Sequence, residues 1–173
     1  MSVQLDIQLA DDIAESSEEP PPSSLLRKWA QAAWQGDEAE QANLSLRIVS
    51  AAESQQLNHD YRGKNKPTNV LSFPMQMDEG FVMPEIMLGD LAICAEVVAS
   101  EARQQQKNLQ SHWAHMLVHG MLHLQGFDHI EDVQAQEMES LETQIMQGLG
   151  FADPYLIHPD NIEQSSVTEQ ENE

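Results

Sequence analysis

The 173 residues carry 29 acidic side chains against 8 basic ones, a formal net charge of −21, with 40% apolar content. That size and apolar share suit one domain with a real core, and no run approaches the roughly 18 apolar residues that would mark a membrane span. A single cysteine, Cys94, excludes an internal disulfide and suits a reducing cytoplasm. Met1-Ser2-Val3-Gln4-Leu5-Asp6 lacks a basic region followed by an apolar run, so no secretory signal is expected.

A chain this acidic is a poor general match for nucleic acid, but the charge is uneven. Residues 1–22 hold six acids and residues 150–173 six more, with no Lys or Arg in either stretch. The part between them, residues 23–149, keeps 17 acids against 8 bases. Three of those bases, Arg62, Lys64 and Lys66, fall within five residues, so a local basic strip is compatible with the overall charge. The acidic ends read as solvated segments.

In chain order, Val3, Leu5, Ile7 and Leu9 alternate with polar residues, which predicts a strand over residues 3–9. An acidic, Pro-rich linker follows over 10–22. Ser23 or Ser24 can cap a helix running to Gly36, with Leu25, Leu26, Trp29, Ala32 and Ala33 on its apolar side. Residues 43–49 read as a strand with Leu44, Leu46 and Ile48 on one face. Ser50-Ala51-Ala52-Glu53 has the form of a capping box, predicting a short helix to about Leu57. Tyr61 to Thr68 reads as a Gly/Lys/Pro loop, Asn69 to Phe73 as a strand ended by Pro74, and 75–85 as a loop or hairpin. A strand over 86–94 contains Cys94 in an apolar run, a packing residue and not a nucleophile. Helices are expected from Glu96 to about Lys107, from a cap at Ser111 onward, and from Asp132 to Leu149, the last ending at Gly150. Together these give an α+β fold, one layer of about four strands packed against several helices. The domain is expected to span residues 1–157, with the 10–22 linker inside it and an acidic, disordered tail over 158–173.

The helix after Ser111 carries the chemistry. In His119-Gly120-Met121-Leu122-His123-Leu124-Gln125-Gly126-Phe127-Asp128-His129 the first two histidines are four residues apart. At about 100° per residue this puts both imidazoles on one helical face, about one turn apart. Gly126 permits the left-handed conformation that ends many helices, so the chain can bring His129 back toward the same point. Three imidazoles converging in this way make an open zinc site, one Zn²⁺ per chain, with water as the fourth ligand. Imidazoles also accept nickel or copper, so zinc is argued from availability and geometry. Trp113, Met116, Leu117, Met121 and Leu124 form the helix's buried side, and the nine methionines read mostly as core filling. Asp128 has two readings: an acceptor that fixes the tautomer of a ligand histidine, or an N-cap or turn residue before the last helix. His115, one turn before His119, reads as a packing residue or a partner behind the ligands.

The ligand spacing matches the HExxHxxGxxH pattern of metzincin proteases, with one decisive departure. The general base of those enzymes follows the first histidine, and here that position is Gly120. The whole run closely resembles the HGxLHLxGYDH signature of the YbeY endoribonuclease family of bacterial rRNA maturation factors. A second segment, Tyr61-Arg62-Gly63-Lys64-Asn65-Lys66-Pro67-Thr68-Asn69-Val70-Leu71-Ser72-Phe73-Pro74, is similar to that family's YRGKDKPTNVLSFP stretch. Leu88-Gly89-Asp90, and Gly150-Phe151 with Pro154-Tyr155, fall in similar order. The resemblance covers roughly residues 44 to 157. Phe127 stands where the family usually has Tyr, and Asn65 where it usually has Asp.

The resemblance implies the same α+β fold and a zinc-dependent, single-strand-specific endoribonuclease. Such an enzyme acts in ribosomal RNA maturation, chiefly at the 3′ end of the small-subunit RNA, and in ribosome quality control in the cytoplasm. It implies Arg62 as the functional cation. A guanidinium fork binds phosphate oxygens in a bidentate way that Lys cannot copy. Lys64 and Lys66 are then expected to track neighbouring phosphates. The expected partners are single-stranded RNA and the ribosome or small-subunit assembly factors, with no membrane and no DNA. Two other readings use the same residues: a zinc peptidase that draws its base from elsewhere, and a non-catalytic ribosome-assembly factor with a zinc site.

Overall fold

Strand formation follows the alternation in the sequence, and the sheet it builds sets one helix deep in the molecule. The structure is a computed structural model describing residues 2–13, 19–75, 85–128 and 130–155. Its elements run β1 (Val3–Leu9), α1 (Ser23–Ala32), β2 (Ala42–Val49), α2 (Ala51–Arg62), β3 (Val70–Pro74), β4 (Ile86–Cys94), α3 (Ala95–Gln104), α4 (Leu109–Leu124) and α5 (Asp132–Gly148). The four strands form one sheet in the order β1-β2-β4-β3. β1, β2 and β4 are mutually parallel, and β3 joins β4 antiparallel as the edge strand. The expected α+β architecture is the one observed.

Period-two alternation sorts each strand between two layers. Leu44, Leu46 and Ile48 of β2, with Leu91 and Ile93 of β4, meet α1, α4 and α5 in the main core. Ala92 and Cys94 of β4 point the other way and join Val49, Leu71, Leu57 and Phe73 in a smaller cluster beneath α2. Cys94 is fully buried there, and burial pushes its thiol up, as a packing residue requires. In β1, Val3 and Leu5 are buried while Leu9 is exposed. The segments 14–18 and 76–84, parts of the expected linker and hairpin, and residues 156–173, which include the expected tail, lie outside the described residues.

Several boundaries differ from the sequence reading. α1 stops at Ala32, short of Gly36, and its N-cap is Pro22, not a serine. Its end tightens as the Ala33 N–H donates to Trp29 and Ala30 and the Trp34 N–H donates to Gln31. The Trp34 indole then donates to the Asp37 carbonyl and closes the turn. At the capping box, Ser50 accepts from the Glu53 N–H at 3.1 Å. The Glu53 carboxylate serves Arg47 instead, at 2.6 and 3.0 Å. α2 runs one turn past Leu57, through Tyr61 and Arg62, to a left-handed Gly63. Asn58 holds the departing chain by donating to the Lys66 carbonyl at 2.9 Å. α4 is capped by Asn108, which accepts from the Ser111 N–H, so Ser111 lies inside the helix.

α3 ends at Gln104, before the expected Lys107, in a hydrogen-bond pattern normally built on glycine. Lys107 N–H donates to Ala102 at 2.8 Å across Gln106, which has φ 54°. No glycine marks this stop, which is why the sequence leaves it invisible.

α4 is the axis of the main core. Eleven of its sixteen residues are buried, too many for a single apolar stripe, because β3 and β4, α1, α3 and α5 pack around it. Gly120 sets its depth. A Cβ there would lie 2.8 Å from Leu91 Cδ2 and 3.3 Å from Val70 Cγ2 on the sheet beneath. At the far end Gln125 ties α4 to α1, donating to the Ala33 carbonyl at 2.9 Å and accepting from the Gln35 N–H at 2.8 Å.

Two stability measurements check this account. Gly120→Val overpacks the contact between α4 and the sheet and is expected to lower the unfolding free energy by about 1–3 kcal/mol in denaturant titration. Gln106→Gly relieves the left-handed residue at the end of α3 and is expected to raise it by about 1 kcal/mol.

Candidate metal centre

The 3.6-residue period places His112, His115, His119 and His123 on one face of α4. Their rings follow one another at centroid distances of 6.5, 6.4 and 4.6 Å. Their partners change along the row. His112 Nε2 meets Glu101 Oε1 at 2.9 Å. His115 Nε2 meets Glu142 Oε1 at 2.7 Å, and His119 Nδ1 meets the same oxygen at 3.0 Å. His119 Nε2 then faces His123 Nε2 at 3.1 Å.

Glu142 organises this face. It sits on α5 between Met138 and Met146, positions otherwise given to the apolar core, and is 1% exposed. Burial on its own raises a carboxyl group, but hydrogen bonds from His115 and His119 outweigh that and hold Glu142 far below the usual carboxylate range. An ionised carboxylate only accepts, so His115 Nε2 and His119 Nδ1 are the protonated nitrogens of their rings. Burial keeps His115 below its ordinary value against the pull of Glu142. The second carboxylate oxygen accepts the Tyr155 hydroxyl at 2.8 Å. Burial, followed by the Glu142 charge, pushes that phenol well above its ordinary range, so it stays a donor.

Tyr155 reaches Glu142 because α5 ends in a tight reversal. Gly150 is left-handed at φ 94°, and Phe151 N–H returns to the Met146 carbonyl at 2.9 Å. Phe151 then sets its ring edge-on to Trp29. Asp153 Oδ1 accepts the Tyr155 N–H at 2.8 Å, and Lys107 Nζ donates to the Pro154 carbonyl at 2.9 Å.

α4 ends as its glycine predicts. Gly126 has φ 99°, Gly126 N–H donates to His123 and Phe127 N–H donates to Leu122, each at 3.0 Å. This turns the chain immediately after the His119–His123 pair. His129, the third expected ligand, lies outside the described residues. Among the described residues no group of three or more His, Cys, Asp or Glu side chains forms a metal cluster. The N-cap of α5 is Glu131, so Asp128 is not its cap.

The two described histidines fit a metal. Zn–N bonds of about 2.0–2.1 Å at the tetrahedral angle put two ligating nitrogens about 3.3 Å apart, close to the 3.1 Å between His119 and His123. With Nδ1 of His119 protonated toward Glu142, its Nε2 carries the lone pair a metal needs.

Arg62, Lys64 and Lys66 come from other elements than this pair. Arg62 closes α2, on the sheet face opposite α4, and Lys64 and Lys66 follow in the loop to β3. All three are exposed, and among the described residues no hydrogen bond or ion pair joins their side chains to His119 or His123. Tyr61, one residue earlier, is 57% exposed and lies edge-on to Phe73. The loop connects to the histidine row through Glu101, which accepts both Asn69 Nδ2 at 3.1 Å and His112 Nε2. A cavity of about 330 Å³ between this loop and α3 is lined by Lys66, Thr68, Asn69, Glu96, Ser100 and Glu101, away from the His119–His123 pair.

Glu142 and Tyr155 are the site residues the sequence reading missed. The signal for Glu142 was available: an acid at the centre of the i, i+4, i+8 series Met138-Glu142-Met146, where a core residue belongs. No spacing rule identifies Tyr155, which arrives through the reversal at Gly150.

Residues 11–150 match the family model described as endoribonuclease YbeY. Among solved structures, the fold is similar to the solution structure of TM1509 from Thermotoga maritima, with a TM-score of 0.54 and 25% identity. That match covers 88% of this chain and 99% of the other. The glycine-limited seat of α4, the paired imidazoles at its end and the matched span agree: the chain belongs to the YbeY family of endoribonucleases.

Proposed function

We propose that this protein is a zinc-dependent endoribonuclease that cuts single-stranded RNA during ribosomal RNA maturation. The proposed setting is the 3′ end of the small-subunit RNA and ribosome quality control in the cytoplasm. The observation that carries the metal part is the 3.1 Å approach of His119 Nε2 to His123 Nε2, with His119 turned toward it by Glu142. His129 is proposed as the third ligand, on the spacing of the sequence. When bound, zinc supplies Lewis acidity for a phosphoryl oxygen or for activation of a water. The chain's own residues do the remaining work. His119, His123 and His129 hold the ion, Glu142 fixes one of their rings, and Arg62 neutralises charge on the scissile phosphate. Lys64 and Lys66 are proposed to hold flanking phosphates, consistent with their exposure beside Arg62. The proposed partners are ribosomal RNA and the ribosome or its small-subunit assembly factors. Among the described residues no helix is long and apolar enough to cross a membrane.

Packing at Gly120 leaves the peptidase reading without a base at that position, so it still depends on one drawn from elsewhere. The position that carries the base in metzincins faces Leu91 and Val70 on the sheet, where even a methyl group is crowded.

Cleavage of single-stranded RNA by purified wild type, His123→Ala and Arg62→Ala, with metal content determined for each, tests the proposal. His123→Ala is expected to lose metal and cleavage together. Arg62→Ala is expected to keep its metal and lose cleavage on the order of 10²-fold, the usual cost of removing one transition-state donor. Undiminished cleavage by Arg62→Ala would remove it from the mechanism, and undiminished cleavage by His123→Ala would remove the metal.

A further inference from the structure

We infer that Glu142 is the positioning residue of the metal centre, aligned from behind by Tyr155 and His115; this rests on the metal reading proposed above. A neutral imidazole can offer Nε2 to a metal only if its proton sits on Nδ1. A partner that accepts from Nδ1 therefore selects the tautomer, fixes the ring plane and raises the basicity of the ligating nitrogen. Glu142 Oε1 stands 3.0 Å from His119 Nδ1, on the side of the ring away from His123.

The carboxylate is held as such a partner must be. Its Oε1 also takes His115 Nε2 at 2.7 Å and its Oε2 takes the Tyr155 hydroxyl at 2.8 Å, so three donors from two other segments fix its rotamer. His115 thereby has a role without being a ligand: its Nε2 is committed to Glu142. Tyr155 is committed too, its backbone fixed by Asp153 and the preceding carbonyl by Lys107.

A purely structural role explains this arrangement poorly. Met138 and Met146, one turn to either side, are buried apolar residues of the main core. An ionised group there carries a desolvation cost that a methionine does not. Orientation of His119 is what the carboxylate adds, and no apolar residue supplies it.

The test compares full-length wild type, Glu142→Gln, Tyr155→Phe and His123→Ala, all stripped with chelator. Zn²⁺ affinity is read by competition with a chromophoric chelator, and folding by the cooperativity of unfolding of the metal-free protein. Glu142→Gln is expected to weaken Zn²⁺ binding on the order of 10- to 100-fold. Tyr155→Phe is expected to weaken it less, with both variants still folding. Histidine ¹⁵N spectra of metal-free wild type should show His119 as the Nδ1–H tautomer. A change in stability alone, with Zn²⁺ affinity equal to wild type in both variants, would overturn the positioning role; so would a dominant Nε2–H tautomer at His119. If Glu142→Gln does not fold, Tyr155→Phe and the wild-type tautomer decide the matter. The two ideas fail separately. Wild-type binding that His123→Ala leaves intact overturns the metal centre itself, whereas binding lost in His123→Ala but untouched at Glu142 and Tyr155 overturns only this inference.

Discussion

Helix α4 approaches the sheet so closely that a single methyl group at Gly120 would meet Leu91, and the rest of the molecule is organised by that contact. With the helix seated at this depth, β3 and β4 cover one side while α1, α3 and α5 close around the others. Burial leaves one row of α4 for polar residues, the histidine row. The core thus determines both how rigidly the imidazoles are held and which helices can supply partners to them. Gln125 and the reversal at Gly126 complete the arrangement by fixing where the helix stops and where the chain goes next.

Placing a carboxylate in such a core is costly unless its oxygens are satisfied. At Glu142 they are, by two imidazole N–H groups and a phenol. The cost of burial and the value of orientation arise from the same low-polarity surroundings. A solvated carboxylate would be screened and free to rotate, whereas this one is held by three donors and acts on His119 with little competition from water. Lys107 and Asp153 belong to the same system at one remove, since they hold the segment that delivers Tyr155.

The acidic surface and a polyanionic substrate class are reconciled by location. Exposed charges more than about 10 Å apart are largely screened at ordinary ionic strength. A short basic segment therefore sets the potential near itself whatever the total charge of the chain. Arg62, Lys64 and Lys66 form such a segment between α2 and β3, with the exposed ring of Tyr61 beside it.

Two-residue alternation was enough to define the strands, and the period of a helix was enough to pair His119 with His123. The sequence also determined the stop at Gly126, because glycine adopts the left-handed conformation without penalty. These are local rules, and the structure follows them closely. Where the local signal was absent the reading was misplaced: α3 stops on a left-handed glutamine, and α2 runs through Tyr61 and Arg62 to the next glycine. The cap of α4 fell to Asn108 when Ser111 was an equally good residue type. It took the packed fold to turn position 120 toward the sheet, to bring Glu142 from α5 to His115 and His119, and to return Tyr155 to Glu142. The three contacts at Glu142 join residues 13 to 27 positions apart. No periodicity encodes them, because they depend on how the helices stack once the core has closed.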